Sequence, residues 1–271
     1  MSRDRILAYF EEHKGEVVPG NELALLLGIT RSAVWKSVQQ LRQEGYDITS
    51  LKRTGYRLEE NSDILSEVKI RSGLSAPLKN ARIAVYKSVD STNLQIKLAA
   101  LKGDGEWTIA ASEEQTKGRG HRQREYPSPS GKGVYLSVLL RPRGLSDPRR
   151  ELPMLAALAV CGGIRERTGV AAGIAGADDI VYGGKKLCGI LCEMMCECES
   201  GQVEFAAIGM GIRVYMPEEE SETSLGTVTG RYYNRSELIS AIVNRLYEQY
   251  TALQAGEGER LLKDYRRLQA K

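Results

Sequence analysis

Gln115-Thr116-Lys117-Gly118-Arg119-Gly120-His121-Arg122-Gln123-Arg124-Glu125-Tyr126-Pro127-Ser128-Pro129-Ser130-Gly131-Lys132-Gly133 is the stretch around which the rest of the chain is organised. Five cations face a single Glu125 here, a local charge of +4. Four glycines and two prolines forbid a regular helix or strand through most of it. Loops of this length without structure of their own are usually lids or linkers. Strand patterns at 108–112 and 134–140 flank it, which favours a lid. Glycine, cations and free backbone N–H groups together suit a polyanionic ligand such as a nucleotide phosphate. Charge and glycine alone are equally compatible with a solvated surface loop.

Upstream, residues 82–86 read as a strand running into Lys87-Ser88-Val89-Asp90-Ser91-Thr92-Asn93. Ser91 or Thr92 suits the cap of a helix beginning near Leu94. The other reading is a group of small polar side chains meeting a ligand at a strand end. Downstream, 151–168 has helical periodicity, and Lys185-Lys186-Leu187-Cys188-Gly189-Ile190-Leu191 opens a strand whose hairpin partner is 202–208, with Gly201 in the turn. Helices at 236–253 and 257–268 close the chain. No strand is followed by G-x-G-x-x-G, and no G-x-x-x-x-G-K-[ST] occurs, so phosphate is not bound by either common loop.

The first sixty residues have a different character. Ile6, Leu7 and Phe10 mark a helix over 3–14. Asn21 is placed to cap a second helix with Leu23, Leu26 and Leu27 on its inner face. Gly28 supplies a turn, Thr30 caps a third helix carrying Val34, Val38 and Leu41, and Gly45 ends it. This is a helix-turn-helix, with the third helix as reader. Alternation over 47–58 around Arg53-Thr54-Gly55 predicts a hairpin wing. From Thr30 to Leu58 the charge is +4, while residues 1–60 balance at zero. Cations concentrated on reader and wing suit phosphate contacts. Arg31, Ser32, Trp35, Lys36 and Gln39 on the helix, with Lys52 and Arg53 on the wing, are the expected DNA contacts. The alternative is a winged helix used for protein contacts.

The whole chain has 271 residues, 42% hydrophobic and 27% charged, with a net charge of +3. That composition describes a globular protein with a substantial core in roughly two domains. The expected division is a winged helix-turn-helix over 1–62, a linker with a short helix around 64–72 over 63–80, and a ligand-binding domain over 81–271. There is no membrane-length apolar run and no signal-peptide core, so a cytoplasmic location is expected. Of five cysteines, the four clustered at the even positions 188, 192, 196 and 198 share one strand face and cannot converge on a tetrahedral ion unaided. Reduced packing thiols are the expectation, with no structural metal site.

With these segments in order, the chain resembles the bifunctional biotin protein ligases that are also biotin operon repressors, the BirA type. Gly28-Ile29-Thr30-Arg31-Ser32-Ala33-Val34-Trp35-Lys36 looks like the family's DNA reader and Gly55-Tyr56-Arg57-Leu58 like the end of its wing. Asp90-Ser91-Thr92-Asn93 is similar to its biotin motif, and Gln115-Thr116 with Gly118-Arg119-Gly120 to its adenylate loop. Gly184-Lys185-Lys186-Leu187-Cys188-Gly189-Ile190-Leu191 resembles its strand bearing the catalytic lysine, which falls on Lys186.

The resemblance implies an α+β chain: a winged helix-turn-helix, then a mixed α/β catalytic domain like that of class II aminoacyl-tRNA synthetases. It implies formation of biotinyl-AMP from biotin and ATP with Mg²⁺, and transfer of biotin to a lysine of a biotin carboxyl carrier protein, the acetyl-CoA carboxylase subunit. Operator DNA and a homodimer formed on ligand binding are the further implied partners. Arg119 and Lys186 are the implied catalytic residues. Ser91, Thr92, Asn93, Gln115, Gly118, Gly120, His121 and Gly189 are the implied biotin and adenylate contacts, and Asp179 the implied ATP and metal residue.

The chain also departs from the family. Ala175-Gly176-Ala177-Asp178-Asp179 stands where the family has Lys-Trp-Pro-Asn-Asp. His121, Gln123 and Tyr126 replace an arginine, a glycine and a tryptophan in the lid, and Arg213 replaces an asparagine. The family's small C-terminal β domain has no counterpart before Lys271 and is expected to be absent. Two readings stay open: a ligase that also represses transcription, and a biotin-responsive regulator with weak or no ligase activity. The lid is expected to order around its ligand.

Overall fold

A computed structural model describes residues 2–52, 54–60, 62–176, 178–197, 199 and 201–270, with only the backbone of Gln123. Asn61 and three residues singled out above, Arg53 of the wing, Ala177 and Cys198, lie outside the described residues.

Three helices, α1 (Ser2–Glu12), α2 (Gly20–Leu27) and α3 (Arg31–Gln43), pack around Ile6, Phe10, Leu23, Val34, Val38 and Leu41, all almost fully buried. Thr30 accepts a hydrogen bond from the Ala33 amide, so α3 starts where the capping rule put it. Gly28 and Gly45 adopt positive φ at the two helix ends. The cap of α2 differs from expectation. Pro19 holds that position with no side-chain bond, Asn21 sits inside the first turn, and Leu26 is 56% exposed rather than inward. An eight-residue helix needs only a narrow stripe, and Leu23 with Ala24 and Leu27 fills it. The antiparallel wing is β1 (Ile48–Leu51) with β2 (Gly55–Leu58).

A short helix, α4 (Glu67–Gly73), capped by Ser66, follows; it starts three residues later than the periodicity suggested. Then come β3 (Ile83–Tyr86), α5 (Thr92–Leu101), β4 (Ile109–Ser112), β5 (Gly133–Leu140) and α6 (Pro148–Thr168). The strands β6 (Gly173–Ala175), β7 (Asp179–Tyr182), β8 (Lys185–Cys196) and β9 (Val203–Arg213) lead to α7 (Leu225–Thr229), α8 (Arg235–Gln254) and α9 (Gly258–Leu268). Seven strands form one sheet in the order β3-β4-β5-β9-β8-β7-β6. β3 and β4 are parallel and every other pair is antiparallel.

The period-two alternation of strands divides this sheet into two faces. Val134, Leu136 and Val138 of β5 and Ala206, Ile208 and Ile212 of β9 belong to the large core with α6 and α8. Leu139, Phe205 and Ala207, one residue out of phase, pack under α5 in a smaller cluster. The second face is only half covered, because α5 reaches just part of it. The uncovered part holds the cavity described below.

Arg235, 1% exposed at the start of α8, ties the segment after the wing to the sheet. Its guanidinium donates to Asp63 Oδ2 and Glu113 Oε2, both at 2.7 Å, and to the Gly133 carbonyl at 3.2 Å. Glu113 Oε1 accepts from the Leu65 amide at 2.6 Å. Lys69 of α4 adds ion pairs to Glu11 of α1 at 3.6 Å and Glu237 of α8 at 3.1 Å.

Candidate active site

The cavity floor is built by residues too small to fill it. Sheet register sets Tyr135, Gly211, Gly189 and Asp179 side by side, and Ser137, Gly209 and Leu191 in the next row of the same face. A methyl group at Gly209 would lie 2.5 Å from Asn93 Oδ1, and one at Gly211 2.5 Å from the Tyr126 ring. Glycine at these two positions lets Asn93 and Tyr126 lie directly on the backbone. The resulting cavity holds about 390 Å³, within the usual range for a small-molecule site.

One end of the cavity is neutral and closely hydrogen-bonded. Helix α5 begins at Thr92, not near Leu94, and Ser91 occupies the N-cap position without a capping bond. Thr92 and Asn93 therefore fall in the first turn and turn toward the sheet. Gln115 Oε1 accepts from the Thr92 amide at 2.8 Å and from its hydroxyl at 3.1 Å. The Ser137 hydroxyl lies 2.7 Å from both Thr92 Oγ1 and Asn93 Oδ1. Asn93 Nδ2 donates to the Leu191 carbonyl at 3.2 Å and to Glu193 Oε2 at 2.9 Å. Thr92, Asn93 and Ser137 are buried, so each bond also satisfies a group that would otherwise be costly to desolvate.

The other end is charged. The 115–133 loop folds back on itself, with backbone bridges between Gln115 and Ser128 and between Arg119 and Glu125, and a short 3₁₀ turn at His121–Gln123. Arg119, Arg122 and Arg124 border the cavity and are exposed. Lys186 faces them, with Nζ 2.7 Å from Asp179 Oδ1. His121 Nδ1 is 3.7 Å from Asp178 Oδ2. Between the two ends stands Tyr126, which donates to the Gly211 carbonyl at 2.6 Å. Burial pushes its hydroxyl well above the usual tyrosine range, so it remains a donor.

The structure thus brings Ser91, Thr92, Asn93 and Gln115 to one wall and Arg119, Gly120, His121, Asp179 and Lys186 to the other, with Gly189 between. Gly118 is different. It is buried under the loop, where a Cβ would lie 2.5 Å from the Tyr126 carbonyl and 2.7 Å from Ser128 Oγ, and it does not border the cavity. Its part is to let the loop close on itself. Sequence reasoning missed Ser137, Gly209, Gly211, Asp178 and Glu222. Ser137 interrupts the otherwise apolar β5, and that lone polar residue was the available signal.

Cys161 and Cys188 lie in the large core, where burial pushes the Cys161 thiol up to about 12 and raises that of Cys188 as well. Cys192 is half-buried and Cys196 exposed. Among the described residues no three histidine, cysteine or carboxylate groups converge on a point. A magnesium ion usually takes one or two carboxylates and completes its shell from substrate phosphates and water. Asp178 and Asp179 at the charged end fit that lesser demand.

On the winged helix, Arg31, Ser32, Trp35, Lys36 and Lys52 are exposed, Trp35 to 54%. Gln39 shares the outer face of α3 with Ser32 and Trp35 and is half-buried. No helix among the described residues is long and apolar enough to cross a membrane.

Comparison with known proteins agrees with this arrangement. Residues 3–57 match the family described as HTH domain, and residues 85–212 match the Biotin/lipoate A/B protein ligase family. A bifunctional ligase/repressor BirA from Bacillus subtilis is 33% identical over 255 residues, covering 92% of this chain and 78% of that protein. The protein of the same name from Escherichia coli is 29% identical, covering 86% and 72%. Among solved structures, a biotin protein ligase from Aquifex aeolicus in complex with biotin and ATP superposes with a TM-score of 0.56 at 26% identity, covering 64% of this chain and 72% of that one.

Proposed function

This chain belongs to the family of bifunctional biotin ligase/repressors, and we propose that the cavity joins biotin to AMP before the biotinyl group passes to a carrier protein. The family carries the activity of a biotin ligase and a repressor's DNA-binding domain. The observation behind the assignment is a single cavity with a neutral hydrogen-bonding nest at one end, cations at the other and Lys186 beside the junction.

Biotin is an uncharged ring system with one carboxylate tail. Its ring suits the nest of Ser91, Thr92, Asn93 and Gln115, and its tail then points toward Lys186. ATP suits the charged end. A biotin carboxylate oxygen attacks the α-phosphorus, the bond to the bridging oxygen breaks, and pyrophosphate leaves. The lysine amine of a biotin carboxyl carrier protein then attacks the carbonyl of the mixed anhydride, forming an amide and releasing AMP. Lys186 and Arg119 hold the two anions together and offset charge on the phosphorane oxygens. Lys186 must leave Asp179 to do so, which frees that carboxylate as ATP arrives. Magnesium, held by the triphosphate with Asp178 or Asp179, would supply charge neutralisation. Gly120 and His121 close over the phosphates, and a covered site keeps water from the anhydride.

The reader helix with Arg31, Ser32, Trp35 and Lys36 and the wing with Lys52 suit operator DNA. Gln39, on the same outer face, belongs with them. One reader spans one half-site, so a homodimer formed on ligand binding is part of the proposal. The decisive assay incubates the chain with biotin, MgATP and a carrier domain and follows both pyrophosphate and carrier biotinylation. Both products are expected. Pyrophosphate without labelled carrier would support the regulator reading, and neither product with biotin binding intact would sink the enzyme.

A further inference from the structure

Arg213, the last residue of β9, is 4% exposed, a full charge inside the fold. Its guanidinium is met by the chain segment that immediately follows it. Nη1 pairs with Glu222, and Nη2 lies 3.3 Å from the Pro217 carbonyl and 3.4 Å from Glu219 Oε1. Nε is buried without a partner among the described residues. Burying a cation with one donor unmet is costly, so a return is expected from what the cation holds.

What it holds is Glu222. The segment around Glu222 is laced to β8, with the Lys186 amide donating to the Ser221 carbonyl at 2.9 Å and the Thr223 amide to the Lys186 carbonyl at 2.8 Å. Glu222 and Lys186 are therefore partners in a parallel bridge. Bridge partners present their side chains to the same face, about 4.8 Å apart. Both border the cavity. Lys186 Nζ is turned to Asp179, so it is Arg213 that neutralises Glu222.

We propose that Glu222, oriented by Arg213, recognises the ribose of the nucleotide by accepting hydrogen bonds from its 2′- and 3′-hydroxyls. This rests on the reading in which Lys186 meets the α-phosphate. The sugar is the next chemical unit from that phosphorus, about one strand spacing away. A carboxylate accepts only, which matches hydroxyl donors and repels the triphosphate. Carboxylates serve ribose hydroxyls in the same way at dinucleotide sites.

The test measures kcat/KM for biotin-dependent pyrophosphate release with ATP, 2′-deoxyATP, 3′-deoxyATP and inosine triphosphate. It uses the full chain, Glu222→Ala and Glu222→Gln, the last retaining a bond to Arg213 and hence the fold. Wild type should prefer ATP over at least one deoxynucleotide by about tenfold to a hundredfold. Glu222→Ala should lower the ATP value most and each deoxynucleotide value less, since each keeps one hydroxyl, so the preference for ATP shrinks. An equal fall for every nucleotide, or no deoxynucleotide penalty in wild type, would overturn the proposal. A penalty relieved for inosine triphosphate alone would assign Glu222 to the base amine instead. Calorimetric binding of the same nucleotides separates the two levels of inference. Binding with deoxynucleotide discrimination but no pyrophosphate would sink the ligase reading and leave Glu222 in place, while no ATP binding would sink both.

Discussion

The two ends of the cavity are built by opposite physics. At the neutral end, Thr92, Asn93, Gln115 and Ser137 are already bonded to one another, so biotin bound there as proposed would meet groups fixed in place. At the charged end, Arg119, Arg122 and Arg124 are exposed on a loop, and Lys186 is engaged by Asp179. On the proposed function that end would rearrange as ATP arrives. On the same proposal, one cavity would bind a neutral ring at a preformed site and a polyanion at a site assembled by its ligand.

The comparison can be broken at its strongest point by Lys186→Ala. Removing the cation at the junction should cut pyrophosphate release by about 10²–10³-fold, while DNA binding by the winged helix survives. Near-normal turnover would show that the lysine has been misassigned. Gly209→Ala comes next. The added methyl would displace Asn93 from the floor, so biotin affinity should fall by about tenfold or more with ATP affinity nearly unchanged. Titration calorimetry reads both, and unaltered biotin binding would mean the nest is not where the ring sits. The smallest effect is that of salt. Between about 0.05 and 0.5 M ionic strength the ATP KM should rise several-fold, because exposed charges are screened, while biotin affinity stays constant. Equal sensitivity of the two ligands would erase the distinction drawn between the ends.

The legible parts of the sequence were those with local causes. Thr30 and Gly28 mark helix ends by chemistry that acts within three residues, and β3, β4 and β5 announce themselves by apolar runs. The extent of β9 was not legible, because Gly209 and Gly211 read as breakers. They are strand residues since β5 and β8 pair with them from both sides and Asn93 and Tyr126 need the space. β6 and β7 are three and four residues long and owe their conformation to register with β8. In the cavity, Lys186 and the Ser91-Thr92-Asn93 group could be named from resemblance. Ser137 and Glu222 could not, since each matters only through a partner far away in sequence.

Arg235 has a mechanical consequence. Swinging the winged helix about its linker would draw Asp63 off a buried guanidinium and leave it only Glu113 and the Gly133 carbonyl, so this link resists the motion. The base of the reader domain is thus tied to the sheet, and through it to the frame that carries Glu113 and Gly133 at the two roots of the 115–133 loop.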